Sequence, residues 1–237
     1  MSIVGSNDIM ASVDFSMPQS RRLPPKQSRS KKDNSLLFQL ALKRAFDIFM
    51  SFSALLVLSP FFLIIAMLVA MESSGSPFFS QVRWGKDGKK IRIYKFRSMR
   101  SDAGDVTGVQ QTVAGDPRIT SIGKVLRKSN LDELPQLWNV LKGDMALVGP
   151  RCHAVGMLAG GKLYEELVPH YHARHTVRPG LTGLAQMRGL RGPTHRPSKA
   201  RARIAADLRY IEEFSFALDM KIMVGTVVSE LRNSKGF

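Results

Sequence analysis

The chain reads as an α/β protein, mostly helical with a small β-hairpin. It is monotopic in the membrane, with a Pro-kinked re-entrant helix and amphipathic surface helices. Three observations predict this. Ile48 to Met71 is a run of 24 positions without a charged residue, with Pro60 at its centre. Two short runs on either side of Gly85 and Gly88 alternate in character, as paired strands do. From Ser121 onward apolar residues recur at helical spacing.

In chain order, residues 1–35 combine Ser, Pro, Gln, Lys and Arg with few large apolar side chains. Such a segment cannot bury enough surface to offset its ordering entropy, so it reads as a disordered basic arm near anionic lipid head groups. Residues 36–75 form the membrane segment. As a straight helix the uncharged run would reach roughly 36 Å, enough for a hydrocarbon core of about 30 Å. Ser59 and Pro60 argue against a simple span, because proline removes a backbone hydrogen bond and favours a kink. Lys43 and Arg44 precede the run, and Arg83, Lys86, Lys89, Lys90 and Arg92 follow it. The positive-inside preference asks both flanks to stay cytoplasmic. A helix that enters one leaflet, bends at Ser59–Pro60 and returns meets both demands. A single span and burial in a soluble core are the alternatives.

Residues 76–237 make up a cytoplasmic domain that carries the chemistry. It opens with the hairpin, Phe78 to Trp84 and Lys90 to Phe96, turning at Gly85 to Gly88. Residues 100–116 are polar and Gly-rich and suit a mobile loop. Helical spacing then runs from Ser121 to Leu141 through Ile122, Val125, Leu126, Leu134 and Leu137. Arg203 to Arg232 reads as two amphipathic helices broken near Phe214 and Ser215, packing on the domain or lying on the membrane surface.

Composition narrows the function classes. With 35 Lys and Arg against 19 Asp and Glu, the formal charge is +16. That implies an anionic partner: nucleic acid, an anionic membrane surface or a phosphorylated substrate. The charge is spread along the chain instead of gathered in one tail, which weighs against nucleic acid. Cys152 is the single cysteine, which excludes an internal disulfide framework and suits a reducing cytoplasm. Residues 1–33 lack the apolar core of a cleavable signal peptide.

Within this basic chain, Asp132 and Glu133 stand side by side between apolar residues. Side chains at i and i+1 on a helix diverge, so the two cannot share one proton as a facing dyad would. At the start of a helix, capped by Ser129 or Asn130 with Pro135 early in it, both still reach one pocket. The helix dipole there favours a charged carboxylate. Such a carboxylate attacking phosphorus gives an acyl phosphate. The approach of two anions calls for a hard divalent cation, usually Mg²⁺, with Asp132 and Glu133 as its candidate ligands. It also calls for Arg or Lys on the phosphate oxygens, and the candidates are Lys95, Arg97, Arg118, Arg127 and Arg151. The bland reading of an adjacent Asp and Glu is a solvated acidic turn. His170, His172 and His175 match no standard zinc spacing and read as surface or core histidines. Gly180, Gly183 and Gly189 suit a loop that approaches phosphate.

In order and spacing these segments resemble the bacterial sugar transferase family, the monotopic phosphoglycosyl transferases. The resemblance is carried by Lys43 to Asp47, Ser59–Pro60, Lys95 to Met99, Leu131 to Met145, Val148 to Arg151, Arg178 to Gln186 and Ser215 to Asp219, covering residues 40–233. It implies transfer of a sugar-1-phosphate from a UDP-sugar to polyprenyl (undecaprenyl) phosphate, at the cytoplasmic face of the cell inner membrane. The products would be a polyprenyl-diphosphate-sugar and UMP. It implies Asp132 as nucleophile and Glu133 as its assistant through Mg²⁺ or a proton. Lys95, Arg127, Arg151, Asp219 and Asp207 sit where the family has functional residues. The implied role is the first step of exopolysaccharide, O-antigen or capsule-type synthesis, with downstream glycosyltransferases as partners and no nucleic acid. It favours glucose or galactose over an N-acetylated sugar. The chain departs from the family pattern at Cys152, at Arg188 and at Ser74 to Pro77. The rival reading is a membrane-anchored basic binding or scaffold protein without turnover, which gives no reason for an acidic pair among Arg and Lys.

Overall fold

A computed structural model describes residues 31–102, 112–113 and 115–232. The basic arm up to residue 30 and the middle of the 100–116 loop lie outside these described residues. Helix α1, Lys31–Glu72, is one continuous helix with Pro60 inside it. It begins five residues earlier than the sequence boundary at 36, so the end of the segment read as an arm is helical. Pro60 has no N–H for the carbonyl four residues back, that of Leu56. The Ser59 hydroxyl donates to this orphaned carbonyl at 2.8 Å, which keeps it satisfied.

One face of α1, with Asp47, Ser51, Ile65 and Val69, is buried against the rest of the protein, and Phe49, Leu56, Val57, Leu63, Met67 and Met71 are exposed on its other sides. Both ends dock on the same body. Near the start, Lys43 donates to Asp219 at 2.6 Å and to the Val148 carbonyl at 2.9 Å. Arg44 donates to the carbonyls of Val140 and Leu141. Near the end, the Glu72 carboxylate accepts the amide of Ile122, and Arg97 donates to the carbonyls of Val69, Ser73 and Ser74. Arg97 therefore caps the C-terminus of α1, where a cation meets the orphan carbonyls and the negative end of the dipole. Both of its terminal nitrogens are thus committed to α1.

Strands β1 (Phe78–Trp84) and β2 (Lys90–Phe96) form the expected antiparallel hairpin, in register from Phe78 opposite Phe96 to Trp84 opposite Lys90. Helix α2, Ser121–Lys128, is capped by Thr120, whose side chain accepts the Gly123 amide. A 3-10 turn, Leu131–Glu133, separates it from α3, Gln136–Lys142. The sequence expectation of a cap at Ser129 or Asn130 does not hold. Ser129 closes α2 by donating back to the Val125 carbonyl, and Asn130 adopts a left-handed φ of 55° with no side-chain cap bond. Asp132 and Glu133 thus belong to the turn before α3, not to its first helical turn.

Beyond α3 come β3 (Ala146–Val148), the small β4 (Leu158–Ala159) and β5 (Lys162–Leu163) pair, and α4 (Tyr164–Leu167). Then follow β6 (Gly180–Thr182), α5 (Leu184–Met187), α6 (Pro197–Glu212) and α7 (Phe216–Arg232). β3 and β6 pair in parallel. Their approach requires glycine: a Cβ on Gly180 would fall 2.1 Å from the Gly149 nitrogen, and one on Gly183 would fall 2.2 Å from the Gly149 oxygen. These two glycines serve backbone contact, not approach to phosphate. The main core gathers Ile93, Leu137, Val140, Met145, Val148 and Ile222. A second, around Ile65, Val69, Phe96 and Leu126, seats the later half of α1. On α7 the apolar stripe read from sequence faces outward, with Val224 and Val227 exposed.

Arg97→Ala should lower unfolding stability by about 2 kcal/mol or more, because three carbonyls lose a charged donor. Thermal unfolding in detergent measures this; an unchanged midpoint would show that the cap is not needed.

Candidate active site

The site is assembled on a turn, a strand end and a loop. Asn130 in its left-handed conformation reverses the chain after α2 and starts the 3-10 turn, with the amide of Glu133 bonded to the Asn130 carbonyl at 3.2 Å. Pro135 then leads into α3. Asn139, fully buried on α3, accepts the Tyr94 amide at 3.1 Å and donates to the Arg92 carbonyl at 2.7 Å. One side chain therefore clips the edge of β2 to α3 and sets Lys95 against the turn. β3 leads through Gly149 and Pro150 to Arg151.

These parts converge on Glu133. Lys95 Nζ donates to Glu133 Oε1 at 2.6 Å. Arg151 grips the same carboxylate with both terminal nitrogens, Nη1 to Oε2 at 3.0 Å and Nη2 to Oε1. Arg151 and Lys95 together hold the Glu133 carboxyl well below the usual range, against the effect of burial. Glu133 in turn raises the pKa of Arg151.

Asp132 has the opposite environment. It is buried, and among the described residues its carboxylate accepts no hydrogen bond. Burial pushes it up to about 6, the charge of Glu133 adds to this, and Lys95, Arg127 and Arg151 oppose it. The two neighbouring carboxylates are thus shifted in opposite directions, one paired with two cations and one without such a contact among the described residues.

Both face a cavity of about 1240 Å³, whose wall also carries Lys95, Arg127 and Arg151. Arg127 is steadied by Thr112 at 2.8 Å and Ser98 at 3.4 Å. Arg118 lies on the same wall, paired with Asp116 at 2.6 Å. The structure therefore brings seven of the expected site residues to one cavity: Lys95, Arg97, Arg118, Arg127, Asp132, Glu133 and Arg151.

It does not bring in Asp219 or Asp207. Asp219 accepts from Lys43 and, at 2.8 Å, from the Tyr210 hydroxyl, tying α7 to α1. Asp207 is buried against Arg174. Each carboxylate is paired with its own internal cation, and neither lines the cavity. His175 lies in the core beside Trp84, and His170 and His172 are exposed.

Sequence reasoning missed Gln81, Arg83, Arg191 and Arg203, all on the cavity wall. The signal for the first two was available: Phe79, Gln81 and Arg83 alternate along β1, and Lys95 pairs across from Phe79, so one hairpin face presents polar and cationic groups to the cavity. Arg83 donates to Gln81.

Residues 38–233 match the bacterial sugar transferase family model. The chain is 67% identical over 198 residues to the exopolysaccharide production protein PSS of Rhizobium leguminosarum bv. phaseoli, covering 84% of this chain and 99% of that protein. It is 44% identical to the UDP-glucose:undecaprenyl-phosphate glucose-1-phosphate transferase of Escherichia coli K12, covering 83% of this chain and 41% of that protein. A protein of the same name from Caulobacter vibrioides is 44% identical, with 82% of this chain and 72% of that protein covered. The paired Glu133, the open Asp132 and the cationic wall all lie inside the matched region, and the chain belongs to the bacterial sugar transferase family.

Proposed function

We propose that the chain transfers a sugar-1-phosphate from a UDP-sugar to polyprenyl phosphate, giving a polyprenyl-diphosphate-sugar and UMP, and so starts synthesis of an exopolysaccharide. One observation carries this reading: a buried carboxylate without a partner, Asp132, in a cavity walled by Lys95, Arg127 and Arg151. Names of relatives support the substrates, and those named for glucose favour a UDP-hexose donor, glucose first.

The reaction runs in two displacements. An Asp132 oxygen attacks the phosphorus that bears the sugar, and the bond from that phosphorus to the oxygen bridging to UMP breaks. UMP leaves with that oxygen, and the phosphosugar stays on the carboxylate. A phosphate oxygen of the lipid acceptor then attacks the same phosphorus, which restores the Asp132 carboxylate. Among the described residues Arg127 pairs with no carboxylate, which leaves it to meet the diphosphate oxygens. Arg151 and Lys95 reach them while anchored on Glu133.

Among the described residues no group of three or more His, Cys, Asp or Glu stands together as a metal cage. Both oxygens of Glu133 meet cations, so ligation of Mg²⁺ by Glu133 would have to share or displace one of these contacts, whereas Asp132 carries no such contact among the described residues. The residues present fit Mg²⁺ held by Asp132 and by diphosphate oxygens, the kind of partial protein coordination this ion accepts. When bound there, it would offset the repulsion between the carboxylate and the diphosphate.

The membrane arrangement belongs to the same proposal. Both ends of α1 dock on one body, through Lys43 and Arg44 at one end and Glu72 and Arg97 at the other. This supports a helix that turns back within one leaflet on the cytoplasmic side, with anionic lipids around its basic flanks.

Incubation with labelled UDP-sugar and Mg²⁺, without lipid acceptor, should label the wild type and leave Asp132→Asn unlabelled. Equal labelling would sink the covalent step. The kcat/KM for labelling should fall as pH drops through about 6, the range in which Asp132 takes up its proton.

The same carboxylate links to stability. Its folded pKa lies above the ordinary value of 3.8, so its contribution is full below pH 3.8 and is lost as pH rises through about 6. Asp132→Asn should therefore be more stable than wild type at pH 8, by on the order of 2 kcal/mol. Denaturant unfolding should show that gap close towards pH 4.

Tags at both termini should resist outside reagents on intact cells. Modification of one tag alone would mean a single span.

A further inference from the structure

Asp207 is buried on α6, away from the cavity, yet it is joined to it by a short chain of contacts. Arg174, in a 3-10 stretch Tyr171–Thr176, donates through Nε and Nη2 to Asp207 Oδ2 at 3.0 and 2.7 Å. The two side chains are 1% and 2% exposed. The same Nη2 donates to the main-chain carbonyl of Arg151. The Tyr171 ring lies 5.5 Å from the Arg174 guanidinium, and Arg203, one turn before Asp207 on α6, is taken up by the carbonyls of Leu190 and Gly192.

Stability alone gives little reason for such a pair. Replacing a buried ion pair with apolar groups of similar volume is often neutral or stabilising. What this pair delivers is one guanidinium N–H aimed at one carbonyl. The segment leading to Arg151 runs beside β6, where the Gly149 amide bonds to the Thr182 carbonyl and the Gly180 amide to the Pro150 carbonyl, each at 2.9 Å. The Arg151 carbonyl is taken by Arg174 instead, at the residue whose side chain must meet Glu133.

We propose that Asp207 is a positioning residue: by holding Arg174 it fixes the main chain of Arg151, so that the Arg151 guanidinium pairs with Glu133 and leaves Asp132 as the unpaired carboxylate. This rests on the reading of Asp132 as nucleophile, and it assigns a role in that chemistry to a residue that touches no substrate.

A double-mutant cycle on the full chain in detergent, read as the initial rate of phosphosugar labelling, tests it. Asp207→Asn should slow labelling by roughly 10- to 100-fold in the wild-type background and by less than about twofold when Arg151→Ala is already present. Asp219→Asn serves as the control, since it too removes a buried carboxylate from an ion pair, that with Lys43, which does not contact Arg151. Its cost should be the same in both backgrounds. Equal cost of Asp207→Asn in the two backgrounds would overturn the proposal, as would a cost in Asp219→Asn that also vanishes with Arg151→Ala.

If Asp207→Asn fails to fold, Arg174→Lys replaces it. That variant keeps the charge beside Asp207 but loses the fork that reaches Arg151, and it should show the same dependence on background. Hydrogen exchange gives a reading independent of activity: residues 149–152 should exchange faster in the Asp207 or Arg174 variant and at the wild-type rate in Asp219→Asn. Unchanged exchange in the former would count against the proposal. Asp132→Asn is assayed in parallel; label on it would refute the nucleophile assignment and leave the exchange result to judge the positioning role.

Discussion

The grip of two cations on Glu133 is the contact on which the site depends. Two carboxylates in sequence, both shielded from water, would repel each other and take up protons. Here one of them is given enough positive charge to stay ionised, through Lys95 from the hairpin and Arg151 from the loop after β3. Its neighbour Asp132 is left with burial, nearby cations that do not touch it, and an open cavity. The charge separation comes from geometry: a 3-10 turn sends consecutive side chains to different surroundings, so one faces the cations and the other faces the space where a substrate fits.

That contact joins segments far apart in the chain, and each has its own tether. Asn139 clips β2 to α3, Gly149 meets Gly180 backbone to backbone, and Arg174 reaches the Arg151 carbonyl. Asp219 and Lys43 then fasten α7 to the long apolar helix α1. Buried polar side chains do most of this joining. Their burial costs free energy that only complete hydrogen bonding offsets, which favours one register of these segments over others.

Where the fold was legible in the sequence, a period or a composition carried the signal. The hairpin showed in its alternation and its Gly turn, α6 and α7 in their helical spacing with a break near Phe214, and α1 in its uncharged run. The β3–β6 pair was not legible, since three residues on each side and a glycine contact leave no local pattern. The start of α3 was misplaced because Ser129 and Asn130 are residue types that suit an N-cap, while tertiary packing turned one into a C-cap and the other into a left-handed turn. Asp132 and Glu133 were visible as an acidic pair in basic surroundings. Their division of labour was not, because it depends on which of them Lys95 and Arg151 can reach. Asp207 and Asp219 were candidates only through the family resemblance, which places a carboxylate but not the cation folded against it.

The anchoring of α1 has one more consequence. Helices that run from one face of a bilayer to the other must match its thickness, and they tilt or strain when lipid chains lengthen or shorten. A helix fastened at both ends to a single rigid body has its depth set by Lys43, Arg44, Glu72 and Arg97. If α1 lies within one leaflet as proposed, the height of the cavity above the acyl chains is set by the protein and would not follow changes in lipid chain length.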